Sequence, residues 1–126
     1  MKKRSEKRYA LMTMLYQYLL LGDDFCPLRQ CIEKEKDLMA DDFCRIIAYE
    51  VLKNEKRFID LINKQLQNWT FDRLGKVEQA ILLLGCAEIH ADINEKAVVI
   101  DEAVNLTKKY CEADSYKLIN ATLDKI

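Results

Sequence analysis

Basic side chains that could neutralise the phosphates of a nucleic acid are concentrated at the start of the chain, as Lys2, Lys3, Arg4, Lys7 and Arg8. With Glu6, they give positions 1–9 a side-chain charge of about +4, whereas the whole chain has a formal net charge of −1. Cations near phosphates release counterions and provide affinity that does not depend on base sequence. Because Arg4, Lys7 and Arg8 are three and four residues apart, one helical face can present all three. Taken alone, the pattern favours a solvated terminal tail over residues 1–9, with an RNA-binding basic arm as the alternative.

No group of side chains in the sequence has the spacing of an active site. Glu78 and Glu88 are ten residues apart on one predicted helix, and they therefore lie about 15 Å apart along its axis, too far to act as one acid/base pair. The single histidine, His90, has no pattern of serine, cysteine or aspartate that would tie it to a catalytic triad. Neither GxGxxG nor GxxxxGK occurs, so nucleotide binding has no support. The sequence predicts a protein that is not an enzyme and has no cofactor.

The cysteines do not have the spacing of a metal site. There are five, an odd number without a CxxC pair: Cys26, Cys31, Cys44, Cys86 and Cys111. Cys44 and Cys86 lie in apolar runs, where cysteine behaves as a small hydrophobic residue. No secretory signal is recognisable, and the apolar run from Tyr16 to Leu21 is too short to cross a bilayer. We therefore expect no metal, no membrane contact and a reduced, cytoplasmic compartment.

Composition and periodicity predict an all-α fold. Three glycines and one proline are too few for the many tight turns of a sandwich or barrel. Leu11, Leu15 and Leu19 form one stripe of a first helix. A helix capped by Asp41 or Asp42 follows, and its pattern continues past a break that we expect near Asn54, because one helix of that length would be unusual in a small domain.

The second half of the chain predicts one central helix and two amphipathic helices. Residues 77–89 are nearly all apolar, with no charge between Glu78 and Glu88, which is typical of a helix inside a core. Gly85 within it predicts close approach of another helix, since glycine there costs about 1 kcal/mol relative to alanine. A stripe at helical spacing is formed by Val99, Ala103, Leu106 and Tyr110. Asp114 is a candidate cap for the last helix. We predict a single domain over residues 1–126 with about seven helices, in which an N-terminal three-helix group packs on a C-terminal four-helix group.

Two blocks of sequence carry a family resemblance. The first is LGKVEQAILLL at residues 74–84, followed by Glu88, and the second is VVIDEAVNL at 98–106, followed by Lys108-Lys109-Tyr110, Asp114-Ser115, Lys117, Asn120 and Leu123-Asp124. With Leu15-Tyr16 in the predicted first helix, they resemble the NusB family of RNA-binding transcription antitermination factors. The resemblance extends over nearly the whole chain and is specific from Leu74 onward.

The resemblance implies a function by binding. A NusB-like protein binds a single-stranded, boxA-like RNA element together with NusE, the tenth small-subunit ribosomal protein. The pair joins the RNA polymerase elongation complex with other Nus factors and lets it read through terminators, notably in ribosomal RNA operons. Because the binding of the two proteins to the RNA would be thermodynamically coupled, together they would bind it more tightly than either protein does alone.

The resemblance also implies particular contacts. Tyr16 is interpreted as a residue that contacts RNA, because the family's first helix keeps a tyrosine at that position. Tyr9 and Tyr116 are interpreted as packing residues. Asp114 and Ser115 would lie beside the RNA, where a carboxylate can accept hydrogen bonds from base amino groups, and Glu78 would lie near the protein partner. The predicted RNA-binding residues are Lys2, Lys3, Arg4, Lys7, Arg8, Tyr16, Asp114, Ser115 and Lys117.

Departures from the family pattern leave two alternatives open. Glu95 replaces a common proline, Cys111 and Ala121 replace common glycines, and the basic arm has lysines where many relatives have arginines. Lysine keeps phosphate binding but loses bidentate and stacked contacts, so one alternative is a helical protein-interaction module that has lost RNA binding. The other is an RNA methyltransferase, since a NusB-like domain precedes some of these enzymes. It is disfavoured because the chain has neither a glycine-rich cofactor loop nor room for a catalytic domain before Ile126.

Overall fold

The computed structural model describes residues 3–126, which form seven α-helices and one short 3-10 helix, without strands in that range. The helices are α1 (Arg4–Leu21), α2 (Leu28–Lys34), α3 (Lys36–Met39), α4 (Asp42–Gln65), α5 (Lys76–Ala91), α6 (Lys96–Tyr110) and α7 (Ser115–Asp124), and the 3-10 helix is Phe71–Arg73. This confirms the prediction of an all-α protein with about seven helices. Within the described range, no helix combines the length and apolar composition needed to cross a membrane.

The break predicted near Asn54 is a kink within one helix. Asn54 has φ −123° and ψ 15°, outside the helical region, but α4 continues on both sides of it. Its side-chain Nδ2 donates to the backbone carbonyl of Glu50 at 3.1 Å. A polar side chain that takes the carbonyl four residues earlier competes with the helical backbone. The break predicted near Asn54, with a helix on each side of it, is therefore confirmed as a kink between two helical segments of α4.

Helix α5 lies at the centre of the fold, as its apolar composition predicts. It packs against α1, α4, α6 and α7, so helices from both halves of the chain share one core. The close approach predicted at Gly85 is present, because a methyl group built there would lie 2.8 Å from Leu123 Cδ1 of α7. Gln79, the buried amide of α5, donates to the carbonyl oxygens of Phe71 and Leu74 at 2.8 and 3.0 Å. The division into three-helix and four-helix groups stays a prediction.

Candidate nucleic-acid interface

The basic arm is helical from Arg4 onward, and Arg8 is the most buried cation among its described residues. Only 6% of Arg8 is exposed. Its Nε and Nη2 atoms donate to the two carboxylate oxygens of Glu88 in α5, at 2.7 and 2.8 Å. Burial acts to lower the pKa of Arg8, but the hydrogen bond and charge of Glu88, with a contribution from Glu102, outweigh it and raise that pKa above its ordinary value. Arg8 is thus placed to hold α1 on α5, with its charge turned away from solvent.

The shared face of the basic arm is turned toward the protein. Arg4 and Arg8 both place their guanidinium groups over the ring of Phe43, at 4.8 and 5.4 Å from its centre. Arg4 also donates to Asn94 Oδ1 at 2.8 Å but stays exposed, as does Lys3. Among the predicted arm residues, Lys2 lies outside the described residues. Arg4 and Arg8 lie on one face of α1, as their spacing predicts, but that face packs on the body of the protein instead of pointing wholly to solvent.

Lys7 is held by the residue that caps α4. Its Nζ lies 2.6 Å from Asp41 Oδ1, and Asp41 Oδ2 accepts from the backbone N–H of Cys44 at 3.0 Å. The cap predicted at Asp41 is therefore confirmed. The Lys7 hydrogen bond and the Cys44 backbone bond together lower the pKa of Asp41 to about 2. This contact anchors α1 to the start of α4.

The pH dependence of stability tests the Asp41 contact. Because its folded-state pKa is depressed to about 2 from an ordinary value of 3.8, its contribution is complete above about pH 4 and is lost as the pH falls toward 2. Asp41→Asn keeps a capping oxygen but removes the charge. We therefore expect it to lower the free energy of unfolding by at most about 1 kcal/mol above pH 4, and by less as the pH falls toward 2. Urea unfolding at several pH values measures it. Asp42→Asn, at an exposed neighbouring pair, is the control, and a loss that does not change between pH 4 and 2 would contradict the assignment.

The turn between α6 and α7 presents its polar groups to solvent. Asp114 is at the cap position of α7, but its side chain accepts no capping hydrogen bond. Its backbone is near-helical, at φ −99° and ψ −2°, instead of the extended conformation from which a cap residue reaches back to the helix. The predicted cap is therefore wrong. Lys117 Nζ lies 3.7 Å from Asp114 Oδ1, with both side chains mostly exposed, while Ser115 is half-buried.

An aromatic contact joins α1 to the end of α6. The rings of Tyr9 and Tyr110 have centroids 5.1 Å apart and planes tilted by 33°. Tyr110 was expected in the buried stripe of α6, but 47% of it is exposed, because it lies at the last residue of the helix beyond the core. Through this contact, the helix that carries the basic arm lies beside the segment that leads into the Asp114-Ser115 turn. No local pattern in the sequence indicates this pairing.

An open groove of about 1030 Å³ borders this contact. Its walls come from α1, from residues 35–44 and from α6, and Tyr9 and Tyr110 both line it. The charged residues that line it are Glu6, Lys7, Glu35, Asp37, Asp41, Glu102 and Lys109. Carboxylates therefore outnumber ammonium groups inside the groove, whereas Lys108 lies outside the lining and over the ring of Tyr116, 4.8 Å from its centre. The groove does not suit a phosphate, while its edge near α6 carries cations.

The remaining candidate residues have local structural contacts. Tyr16 is half-buried on α1. Glu78, also half-buried, accepts from the backbone N–H of Gly75 at 3.0 Å and so caps the start of α5, and its predicted contact with a protein partner stays a prediction. His90 lies in the last turn of α5, with Nδ1 2.8 Å from Glu50 Oε2. Across residues 3–126, no three histidine, cysteine or acidic side chains are grouped to hold a metal ion.

Comparison with protein families and relatives agrees with the fold. The model of the NusB family matches residues 5–126. A transcription antitermination protein NusB of Sulfurovum sp. (strain NBC37-1) is 32% identical over 128 residues, covering 100% of this chain and 98% of the relative. The protein of the same name from Sulfurimonas denitrificans is 34% identical over 128 residues, with 100% and 97% covered. The match is thus full-length on both sides.

Solved structures show the same architecture. T. maritima NusB superimposes with a TM-score of 0.82 at 26% identity, covering 98% of this chain and 89% of that one. A crystal structure of the antitermination factors NusB and NusE in complex with dsRNA contains a chain that matches with a TM-score of 0.78 at 28% identity, covering 96% of this chain and 92% of its own length.

Proposed function

This chain belongs to the NusB family, and from that premise we propose that it binds a single-stranded, boxA-like RNA element together with NusE. The family is one of antitermination factors and not of enzymes, so the proposed mechanism is binding without chemistry. The RNA and both proteins would join the RNA polymerase elongation complex with other Nus factors, in the cytoplasm, and support transcription of ribosomal RNA operons.

The observation that carries the proposal is the contact between Tyr9 and Tyr110. It packs α1 against the end of α6, next to the turn that contains Asp114, whereas the exposed Arg4 contacts Asn94 just before α6 begins. We infer that the RNA backbone runs along α6 between Arg4 and the cations near the turn, while Asp114, which is exposed beside Lys117 and caps no helix, accepts hydrogen bonds from base amino groups.

The residues divide by role according to their placement. Lys3, Arg4, Lys109 and Lys117 are exposed and are proposed as phosphate contacts. Arg8 is proposed as a positioning residue, because its guanidinium is buried against Glu88. Lys7 lies between these two roles, because its ammonium group is paired with the carboxylate of Asp41. Tyr16, Asp114 and Ser115 remain proposed RNA contacts.

The partner is proposed by analogy. The solved NusB chain that resembles this one occurs in a complex with NusE and dsRNA. We extend that partnership to this chain, with Glu78 as the residue expected near NusE. The double-stranded RNA of that complex differs from the single-stranded element proposed here, so the experiment must include both forms.

A protein-interaction module without RNA binding is the second candidate. The observation in its favour is that Lys7 and Arg8 are already paired with Asp41 and Glu88, and that the groove beside α1 is lined mainly by carboxylates. In that case NusE, or another protein, would bind the fold while RNA affinity stays at a non-specific level.

Fluorescence anisotropy separates the two candidates. A labelled boxA-like RNA is titrated with this protein, with and without NusE, over a salt series, and a scrambled single strand and a duplex serve as controls. We expect tighter binding with NusE, preference for the boxA-like strand, and a logarithm of affinity that falls linearly with the logarithm of salt concentration. Weak binding that responds neither to sequence nor to NusE would reject the proposed function and favour the interaction module.

A further inference from the structure

Tyr9 and Tyr110 form an aromatic pair at the protein surface. Their centroids are 5.1 Å apart, within the range of favourable ring contacts. Tyr9 is 44% exposed and Tyr110 is 47% exposed, so much of each ring remains uncovered after they pack on one another. The other exposed aromatic residues, Phe25 and Trp69, do not line the groove between α1 and α6. This pair is therefore placed differently from an isolated aromatic residue at the surface.

The charges around the pair select the part of a ligand that can lie on it. Glu6 and Glu102 line the same groove, and the acidic wall continues on the far side through Asp37. These carboxylates repel phosphates but do not repel a neutral ring, and they can accept hydrogen bonds from its amino groups. Lys109, next to Tyr110 in the chain, is exposed at the same groove and can hold a phosphate at its edge.

We propose that Tyr9 and Tyr110 form a stacking platform for one unpaired nucleobase of the bound RNA. The base lies on the exposed ring faces within the groove, while its phosphate stays at the edge near Lys109. Proteins bind single-stranded RNA by this combination of aromatic stacking and a cationic path for the backbone. The inference rests on the proposed function and deepens it, since it names a base-binding site in addition to the phosphate contacts.

Leucine substitutions test the platform, because they keep apolar volume and remove the ring. Stacking of one base on aromatic side chains corresponds to a loss of roughly 5- to 150-fold in affinity when the ring is removed. We expect Tyr9→Leu and Tyr110→Leu each to weaken RNA binding within that range. Tyr9→Phe and Tyr110→Phe retain the ring faces and should bind within about twofold of the unmodified protein.

Two further readouts distinguish stacking from charge and from a general structural effect. The slope of log affinity against log salt concentration should be unchanged in the leucine variants. Lys109→Gln should reduce that slope by about 0.7, the value for one lost single-strand phosphate contact. An RNA series with 2-aminopurine at successive positions should show one position whose fluorescence is quenched on binding and recovers in the leucine variants. Phe25→Leu, which removes an exposed ring outside the groove, is the matched control, and thermal unfolding confirms that each variant is folded.

These measurements distinguish failure of the stacking platform from failure of the proposed RNA binding. If the unmodified protein binds RNA and the leucine variants bind it equally well, the platform is rejected and the proposed function stands. If the leucine variants lose NusE binding but keep RNA affinity, this face docks a protein and the platform is again rejected. If the unmodified protein binds no RNA at all, both proposals fail together.

Discussion

Loss of either partner of the Arg8–Glu88 ion pair is expected to lower the free energy of unfolding by about 3–5 kcal/mol. The pair is buried, with side-chain exposures of 8% and 4%, and both hydrogen bonds are shorter than 3 Å. Glu88→Ala leaves a buried guanidinium without its main partner and also removes an acceptor from Asn94 Nδ2. Because a domain of this kind is stable by about 5–15 kcal/mol in total, such a loss is a large fraction of it.

A double variant shows how far stability depends on leaving one charge buried without its partner. Arg8→Met combined with Glu88→Leu leaves no buried charge, and we expect it to be more stable than either Arg8→Met or Glu88→Ala alone. Urea unfolding measures all three. Arg45→Met is the control, because its pair with Asp42 is exposed and should contribute less than about 1 kcal/mol. A cost below about 1 kcal/mol for Glu88→Ala would refute the structural role.

The same double variant tests the assignment of Arg8 in RNA binding. If Arg8 positions α1 and touches no phosphate, the folded double variant should bind RNA with an unchanged salt slope. A slope smaller by about 0.7 would instead restore Arg8 to the set of phosphate contacts.

Replacing Lys3, Lys109 and Lys117 together by glutamine is expected to weaken RNA binding roughly 100-fold at 0.1 M salt. Each lost contact with single-stranded RNA releases about 0.7 fewer counterions, which corresponds to about fivefold in affinity at that salt concentration, and three contacts multiply. The slope of log affinity against log salt should fall by about two. Because all three lysines are exposed, the variant should unfold at nearly the same urea concentration as the unmodified protein.

A matched triple variant controls for net charge. Lys53, Lys56 and Lys64 are exposed on α4, and their replacement by glutamine changes the net charge by the same amount. Anisotropy titrations over a salt series should give binding within about twofold of the unmodified protein for this control. An equal loss in both triple variants would show that RNA responds to overall charge and not to the surface made by α1, α6 and α7.

The parts of the fold that were predictable are those with a local physical signal. The nearly all-apolar sequence of residues 77–89 indicated the central helix, because a helix that is apolar all round is not stable with a face exposed to water. Gly85 indicated a close helix neighbour, and Asp41 indicated a helix start, because each residue has a conformational or hydrogen-bonding reason for its position. Asn54 marked the break between two helical segments correctly, because its side chain takes the carbonyl of Glu50 and competes with the helical backbone.

The sequence by itself determined the all-α class, the family, and a cluster of cations at one end of the chain. Only the tertiary structure decided which of these cations are buried or paired and which are exposed. Arg8 meets Glu88 across 80 residues of sequence, and Tyr9 meets Tyr110 between helices at opposite ends of the chain. Such pairings depend on the angle and register at which α1, α5 and α6 pack, and no spacing along the chain encodes them. Periodicity records which side of a helix is buried, whereas the partner that buries it, and the charge it neutralises, follow from how the helices pack in three dimensions.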